Sequence, residues 1–491
     1  MKAICILFYL AISALLLMMV PEAIDNPSSQ AEAILLLNYG VQAMVLLWVS
    51  VFRPQRLYLA VTAIFHFVFF AVVPLWEFHR PSASVNIPRL VLADEGYYGA
   101  VMLGALICLL VGYRIGIYSR WTVPIRLTSA RIITSRLPYG VLFCVLGLAL
   151  SSVGILIGGG PGILFASRSE FSEQAQNASS GIYVIKLTLI AAPVAYAGIL
   201  ILNRALVRKR VPQQTWIGLL VYLAIVAVTN NPILFARYWT GTVAGAIVFS
   251  IFYRRRPAAF RWIPGVAVLA ILFLFPFLDV FRHSSGASIG ERIRHGRGAI
   301  GEVLDKGDLD TYLQYAAIAS VADKDGTDKG RQIMGSLLFF VPRAIWNDKP
   351  EISGAIIAEN FGYTHKNISC PLLGEFYYAF GAVGATLGYL IFGILIATFD
   401  NTLVARSPRH ESVIVPLLIG APFLIFLYRG ALLNAIAYCT VPLAFYSLML
   451  ILSRFVISNF VQQKRGQLIF RQLPESNSPA NRTDTGRMGS R

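Results

Sequence analysis

The feature that most constrains this chain is a succession of long apolar segments. At about 20 residues per crossing of a bilayer core, twelve stand out: 3–20, 33–52, 57–76, 97–117, 137–157, 182–202, 214–229, 238–253, 262–280, 371–398, 412–428 and 431–453. With 56% hydrophobic and 14% charged residues over 491 positions, a water-soluble fold would lack the polar surface to cover them. The expected class is an all-α polytopic membrane protein of about 12 transmembrane helices. Residues 1–280 would hold spans one to nine, 281–370 a long outer loop, 371–455 the last three spans, and 456–491 a disordered basic tail. The first segment reads as a retained helix, because only Lys2 precedes it and no small-residue cleavage pattern follows.

The chain carries 42 Lys and Arg against 25 Asp and Glu, a net charge of +17. Positive residues mark the cytoplasmic side of membrane proteins. An inside N-terminus gathers Lys2, Arg53, Arg56, Arg114, Arg120, Arg204, Arg208, Arg254, Arg255, Arg256, Arg406 and the tail on one face. Both termini are therefore expected in the cytoplasm. The basic balance is topological and faces anionic lipid, so no nucleic-acid partner is called for. Five cysteines, with only Cys370 outside a span, offer no disulfide framework. No CxxC or HExxH occurs, and the reading requires no metal and no cofactor.

Two outer segments are long enough to build a site. Gly158-Gly159-Gly160-Pro161-Gly162 lacks P-loop spacing and reads as a helix cap and turn. The 281–370 loop is too long for a plain connection and should carry structure of its own, lying across the outer face. Asp310–Val321 reads as a short amphipathic helix, and Asp323 to Asp328 as a solvated turn without the later glutamate of a calcium loop. Gly241 and Gly245 read as helix packing. His66, alone among apolar residues, reads as a satisfied core histidine rather than a proton relay.

The chemistry gathers in Arg331 to Gly384. Pro342, Arg343, Trp346, Lys349 and Pro350 set cations around a proline-bounded turn, and Gly374, Glu375, Phe380 and Gly381 open the next span. This pattern resembles the oligosaccharide repeat unit polymerases of bacterial surface polysaccharide synthesis, the O-antigen polymerase type. The resemblance implies a membrane glycosyltransferase-like fold in the bacterial inner membrane. It would join polyprenyl-pyrophosphate-linked oligosaccharides at the outer face, with membrane lipid and a chain-length regulator as partners. An O-antigen ligase would use the same donor, and a flippase or transporter of lipid-linked glycans the same ligand.

A leaving lipid pyrophosphate needs cations to neutralise its growing charge. Arg343 is the first candidate, with Arg168, Arg237, Arg282, Arg331 and Lys349 as substrate-binding cations. The attacking hydroxyl needs a base or exact placement. Glu375 is the first choice as catalytic base, with Asp279, Asp348 and His283 as alternatives. Trp346, Tyr377 and Tyr378 would offer faces to sugar rings, and serve equally well as a membrane-interface belt.

Overall fold

In the computed structural model, residues 1–20, 30–79, 95–123, 137–165, 180–208, 211–232, 234–255, 258–274, 309–363, 368–405 and 410–472 are described. Among them the secondary structure is helical throughout. The helices are α1 (Lys2–Met18), α2 (Gln30–Phe52), α3 (Leu57–His79), α4 (Glu95–Ser119), α5 (Leu137–Ile157), α6 (Ser180–Val207), α7 (Gln213–Thr229), α8 (Arg237–Arg255) and α9 (Ala259–Leu274). Three short helices follow, α10 (Thr311–Asp325), α11 (Arg331–Leu337) and α12 (Ser353–Phe361). The chain closes with α13 (Leu372–Ala405), α14 (Glu411–Arg429) and α15 (Leu432–Gln472).

Eight of these, α2 to α6 and α13 to α15, are long and apolar enough to cross a membrane, and α1, α7 and α9 are shorter apolar helices. The protein is a multi-pass, all-α membrane protein. Of the twelve apolar segments expected to span, 238–253 lies in α8, which belongs to neither group because its ends carry Arg237, Arg254 and Arg255.

α3 is the centre of the bundle, buried over its whole apolar length, with α2, α13 and α14 packed on it. α4 and α13 make the closest pair, and glycine makes it possible. A Cβ on Gly112 would stand 2.0 Å from the Leu390 carbonyl oxygen, and one on Gly393 2.1 Å from that of Leu109. Gly245 likewise abuts Pro422, while Gly241 faces open space. Gly159 and Gly160, both at positive φ, end α5, with the Gly160 N–H bonded to the Ile155 carbonyl at 2.9 Å, as a helix cap requires.

Ends expected on one face do meet. Arg204 of α6 holds Glu411 of α14 through two bonds of 2.5 and 2.6 Å, and Arg56 donates to Asn401 at 2.9 Å. At that end Asp400 of α13 accepts the Tyr58 and Leu59 backbone N–H groups at 2.9 and 3.1 Å and the Tyr113 hydroxyl at 2.9 Å. A helix leaves its first N–H groups without intrahelical acceptors. Asp400 supplies the missing acceptor for α3 from a neighbouring helix.

Two sequence expectations change. α15 continues to Gln472, past position 456 where the disordered tail was expected to begin. Apolar residues recur there at helical spacing (Val456, Phe460, Val461, Leu468, Ile469), and the rest of the tail lies outside the described residues. α10 is not amphipathic across a surface. Eleven of its residues, from Thr311 to Ala322, are buried, because small alanines let it pack on α13, α12 and α4.

Candidate functional site at one end of the bundle

α10, α11 and α12 form a ledge over the end of the bundle where α13 begins. α11 is turned inside out relative to a water-facing helix. It buries Gln332, Gly335 and Ser336 and exposes Met334 and Leu337. Phe340, 67% exposed, and Ile345, 79% exposed, follow in the turn after it. Polar-in and apolar-out is the pattern of a helix that meets lipid rather than water.

Exposed cations belong to the same stretch of chain. Arg331 donates to the Asp348 carboxylate at 2.9 Å and to its carbonyl at 3.0 Å, with both side chains well exposed. Arg343, also exposed, donates to the carbonyl of Lys349 at 2.7 Å and leaves guanidinium donors toward solvent. The sequence pattern sets Arg343 and Lys349 around this turn, and Arg331 reaches it through Asp348.

Lys349 has a different place. Its Nζ donates to the carbonyls of Leu338, Phe339 and Val341 at 3.3, 2.7 and 3.0 Å, closing the chain just after α11. Burial, and then the neighbouring Arg343 guanidinium, lower the pKa of this ammonium. All three of its donors are engaged by the turn itself, so Lys349 builds the ledge. Trp346, half-buried, sits within the same turn, its N–H bonded to the Pro342 carbonyl at 3.1 Å.

α13 is broken where it leaves the ledge. Phe380 (φ −147, ψ 22) and Gly381 (φ 66, ψ −158) are non-helical, and only glycine tolerates the second geometry without strain. Phe380 is exposed and its ring lies against Gly330, where an added Cβ would stand 2.7 Å from it. One residue pair earlier, the Tyr378 carbonyl accepts the Asp328 N–H at 3.0 Å, and Tyr378 is half-buried. Asp328 in turn caps α11, accepting from Gly330 and Gln332 N–H at 2.9 and 2.6 Å.

Glu375 is enclosed. It has no exposure; its Oε1 accepts the Ser353 hydroxyl and the Leu432 N–H, the latter at 2.8 Å, and its Oε2 has no hydrogen-bond partner among the described residues. Among the described residues it shares no hydrogen-bond partner with Arg343. Tyr377 is also buried, with its hydroxyl 2.9 and 3.0 Å from the two carboxylate oxygens of Asp323, and so presents no free face for a sugar ring.

The residue that sequence reading passed over is Asp323. It is exposed at the end of α10, and the buried Tyr98 hydroxyl donates to its Oδ2 at 3.0 Å beside the bond from Tyr377. Tyr98, Tyr315 and Tyr377 meet edge to face, each pair of ring centroids 6.1 Å apart. The sequence signal was a carboxylate in a polar turn, which looks the same whether solvated or held.

Arg237 opens α8, which packs on α14 and α6. Arg168, Arg282, Asp279 and His283 lie outside the described residues. Among the described residues no group of three His, Cys, Asp or Glu side chains is placed to hold a metal ion.

A second polar feature lies deep in the bundle. His66 Nδ1 is 2.9 Å from the Thr62 carbonyl, so Nδ1 carries the proton and Nε2 is an acceptor in the neutral ring. Nε2 has no partner among the described residues, and neither has Oε1 of Gln42. Both residues line a cavity of about 10 Å³ with Thr62. His66 is therefore half satisfied rather than fully. Nearby, the helix is π-helical over Val68–Val72, and Pro74 has no N–H to offer the Phe70 carbonyl, which accepts from Asn38 and, at 3.1 Å, from Gln42.

Fold and site together define a multi-pass helical membrane protein with a cationic, apolar-faced ledge over a broken helix. Compared with known proteins, the chain matches no family model, no curated sequence and no solved structure.

Proposed function

We propose that the protein is a membrane glycosyltransferase that polymerises polyprenyl-pyrophosphate-linked oligosaccharide repeats into a surface polysaccharide. The observation that carries this reading is α11 and the turn after it. Met334, Leu337, Phe340 and Ile345 expose apolar side chains suited to a prenyl chain, and the exposed Arg331 and Arg343 of the same stretch of chain would partner a pyrophosphate. The ligand class that unites a long apolar tail with an anionic head is a lipid pyrophosphate. Twelve membrane crossings, cytoplasmic termini and a ledge at the outer face of a bacterial inner membrane belong to the same proposal.

Removing the gene and analysing the surface polysaccharide tests it. A surface bearing single capped repeats supports the polymerase. Absence of the glycan from the surface, with lipid-linked material retained, points instead to a ligase or a flippase.

The transporter reading has one observation in its favour. Asn38, Gln42, Thr62 and His66 place buried polar groups along α2 and α3, within the span. Purified protein in vesicles distinguishes the two: a transporter moves the lipid-linked oligosaccharide between leaflets without lengthening it.

A further inference from the structure

We propose that Asp323 is the general base of this site, with Tyr98 and Tyr377 as its positioning residues. The inference rests on the polymerase reading and names the group that takes the proton. Three other carboxylates of the ledge are engaged elsewhere. Glu375 is enclosed between Ser353 and Leu432, Asp348 pairs with Arg331, and Asp328 caps α11. Asp323 combines solvent exposure with an orientation fixed by two buried phenols.

The way it is held is uncommon within this molecule. The hydroxyls of Tyr9, Tyr39, Tyr58 and Tyr446 donate to backbone carbonyls, the usual resolution for a buried phenol. Tyr98 and Tyr377, 3% and 1% exposed, instead share one exposed carboxylate. A carboxylate has about four lone-pair sites, and two phenols have only two hydrogens to give. Capacity remains on Asp323 for the hydroxyl of an acceptor sugar.

Asp323 also belongs to the same strip of chain as the cations. From Asp323 the chain bonds to Tyr378 through Asp328, lies on Phe380 through Gly330, and reaches Arg331, which pairs with Asp348 in the Arg343 turn. In the reaction the acceptor hydroxyl gives its proton to Asp323 as its oxygen bonds to the anomeric carbon of the donor sugar. The bond from that carbon to the pyrophosphate oxygen breaks, and its electron pair leaves with the lipid pyrophosphate. Arg331 and Arg343 meet the charge that develops there.

The test uses the full chain in lipid nanodiscs with the lipid-linked repeat unit extracted from the deletion strain. Asp323→Asn keeps an oxygen acceptor for the tyrosines and removes the base. It is expected to lower kcat by about 100-fold or more, with KM for the repeat unit and thermal stability unchanged. Asp323→Glu should recover part of the loss, and Tyr377→Phe should lower kcat without raising KM. An Asp323→Asn enzyme with wild-type kcat overturns the assignment, as does a loss of kcat that follows a matching loss of stability. Failure of the wild-type chain to extend the repeat unit would instead remove the polymerase reading itself, and this one with it.

Discussion

The Oε1 atom of Glu375 accepts the backbone N–H of Leu432 at 2.8 Å, so a carboxylate on α13 caps the first turn of α15. Ser353 donates to the same oxygen, which ties α12 to both helices. Glu375→Ala would leave a buried hydroxyl and a buried N–H without their acceptor, a loss of about 1 to 3 kcal/mol. Thermal unfolding in detergent should show it. Glu375→Gln retains the acceptor oxygen and is expected to unfold and polymerise much as the wild type does. A glutamine variant that folds normally and makes no polymer would return Glu375 to the chemistry.

Arg343 is exposed, so its removal should leave the fold intact. A charge-assisted hydrogen bond to pyrophosphate is worth roughly 1.5 to 3 kcal/mol, which is about 10- to 100-fold in binding. Arg343→Ala is expected to weaken donor binding by that factor and shorten or abolish polymer while the protein remains in the membrane. Arg343→Lys should recover only part, lacking the guanidinium fork. Normal polymer from the alanine variant excludes Arg343 from the site.

Lys349 is expected to behave in the opposite way. Lys349→Met removes the ammonium that holds three carbonyls after α11, and residues 338–350 should become faster in amide hydrogen exchange. Loss of polymer should accompany that loosening. If exchange is unchanged and polymer is lost, Lys349 touches substrate.

Cys370 is fully buried beside the start of α13, and burial, followed by the Glu375 carboxylate, pushes its thiol well above the ordinary range. The thiolate is the reactive form. At pH 8 the native protein should therefore leave Cys370 unlabelled by iodoacetamide, and denaturation should release it. Rapid labelling of the native chain would mean that this end of the bundle opens.

Gly393 tests the α4–α13 contact. Gly393→Leu places side-chain atoms where the Leu109 carbonyl stands, and the yield of folded, detergent-extracted protein should collapse. Gly241→Leu, with nothing within reach of its Cβ, is the matched control and should be tolerated.

Much of the bundle was legible because hydropathy reports burial in lipid directly. The Gly159–Gly160 cap and the presence of structure after position 309 were legible for local reasons, glycine chemistry and loop length. The turn that carries Arg343 and Lys349 was also legible, from the prolines that bound it. The roles of the carboxylates were not. Asp323 meets Tyr98 across a sequence separation of 225, and Glu375 meets Leu432 across 57. Nothing local says which acidic side chain closes on a helix end and which stays open to solvent. α10 differs from expectation for a related reason: Ala316, Ala317, Ala319 and Ala322 permit close contact on several sides, and only the partners decide whether it is surface or core.

The cap that Asp400 places on α3 has a bearing on how the chain is made. Tyr58 and Leu59 emerge from the ribosome long before their acceptor, which lies 342 residues after Tyr58. At about 5 to 20 residues per second, the start of α3 waits roughly 20 to 70 s for it. During that interval two polar amides stand at the head of the most deeply buried of the long apolar helices, where water at the membrane edge can satisfy them. The start of α3 therefore gains its protein acceptor only after α13 has been made, and the helix at the centre of the finished bundle completes its own cap late.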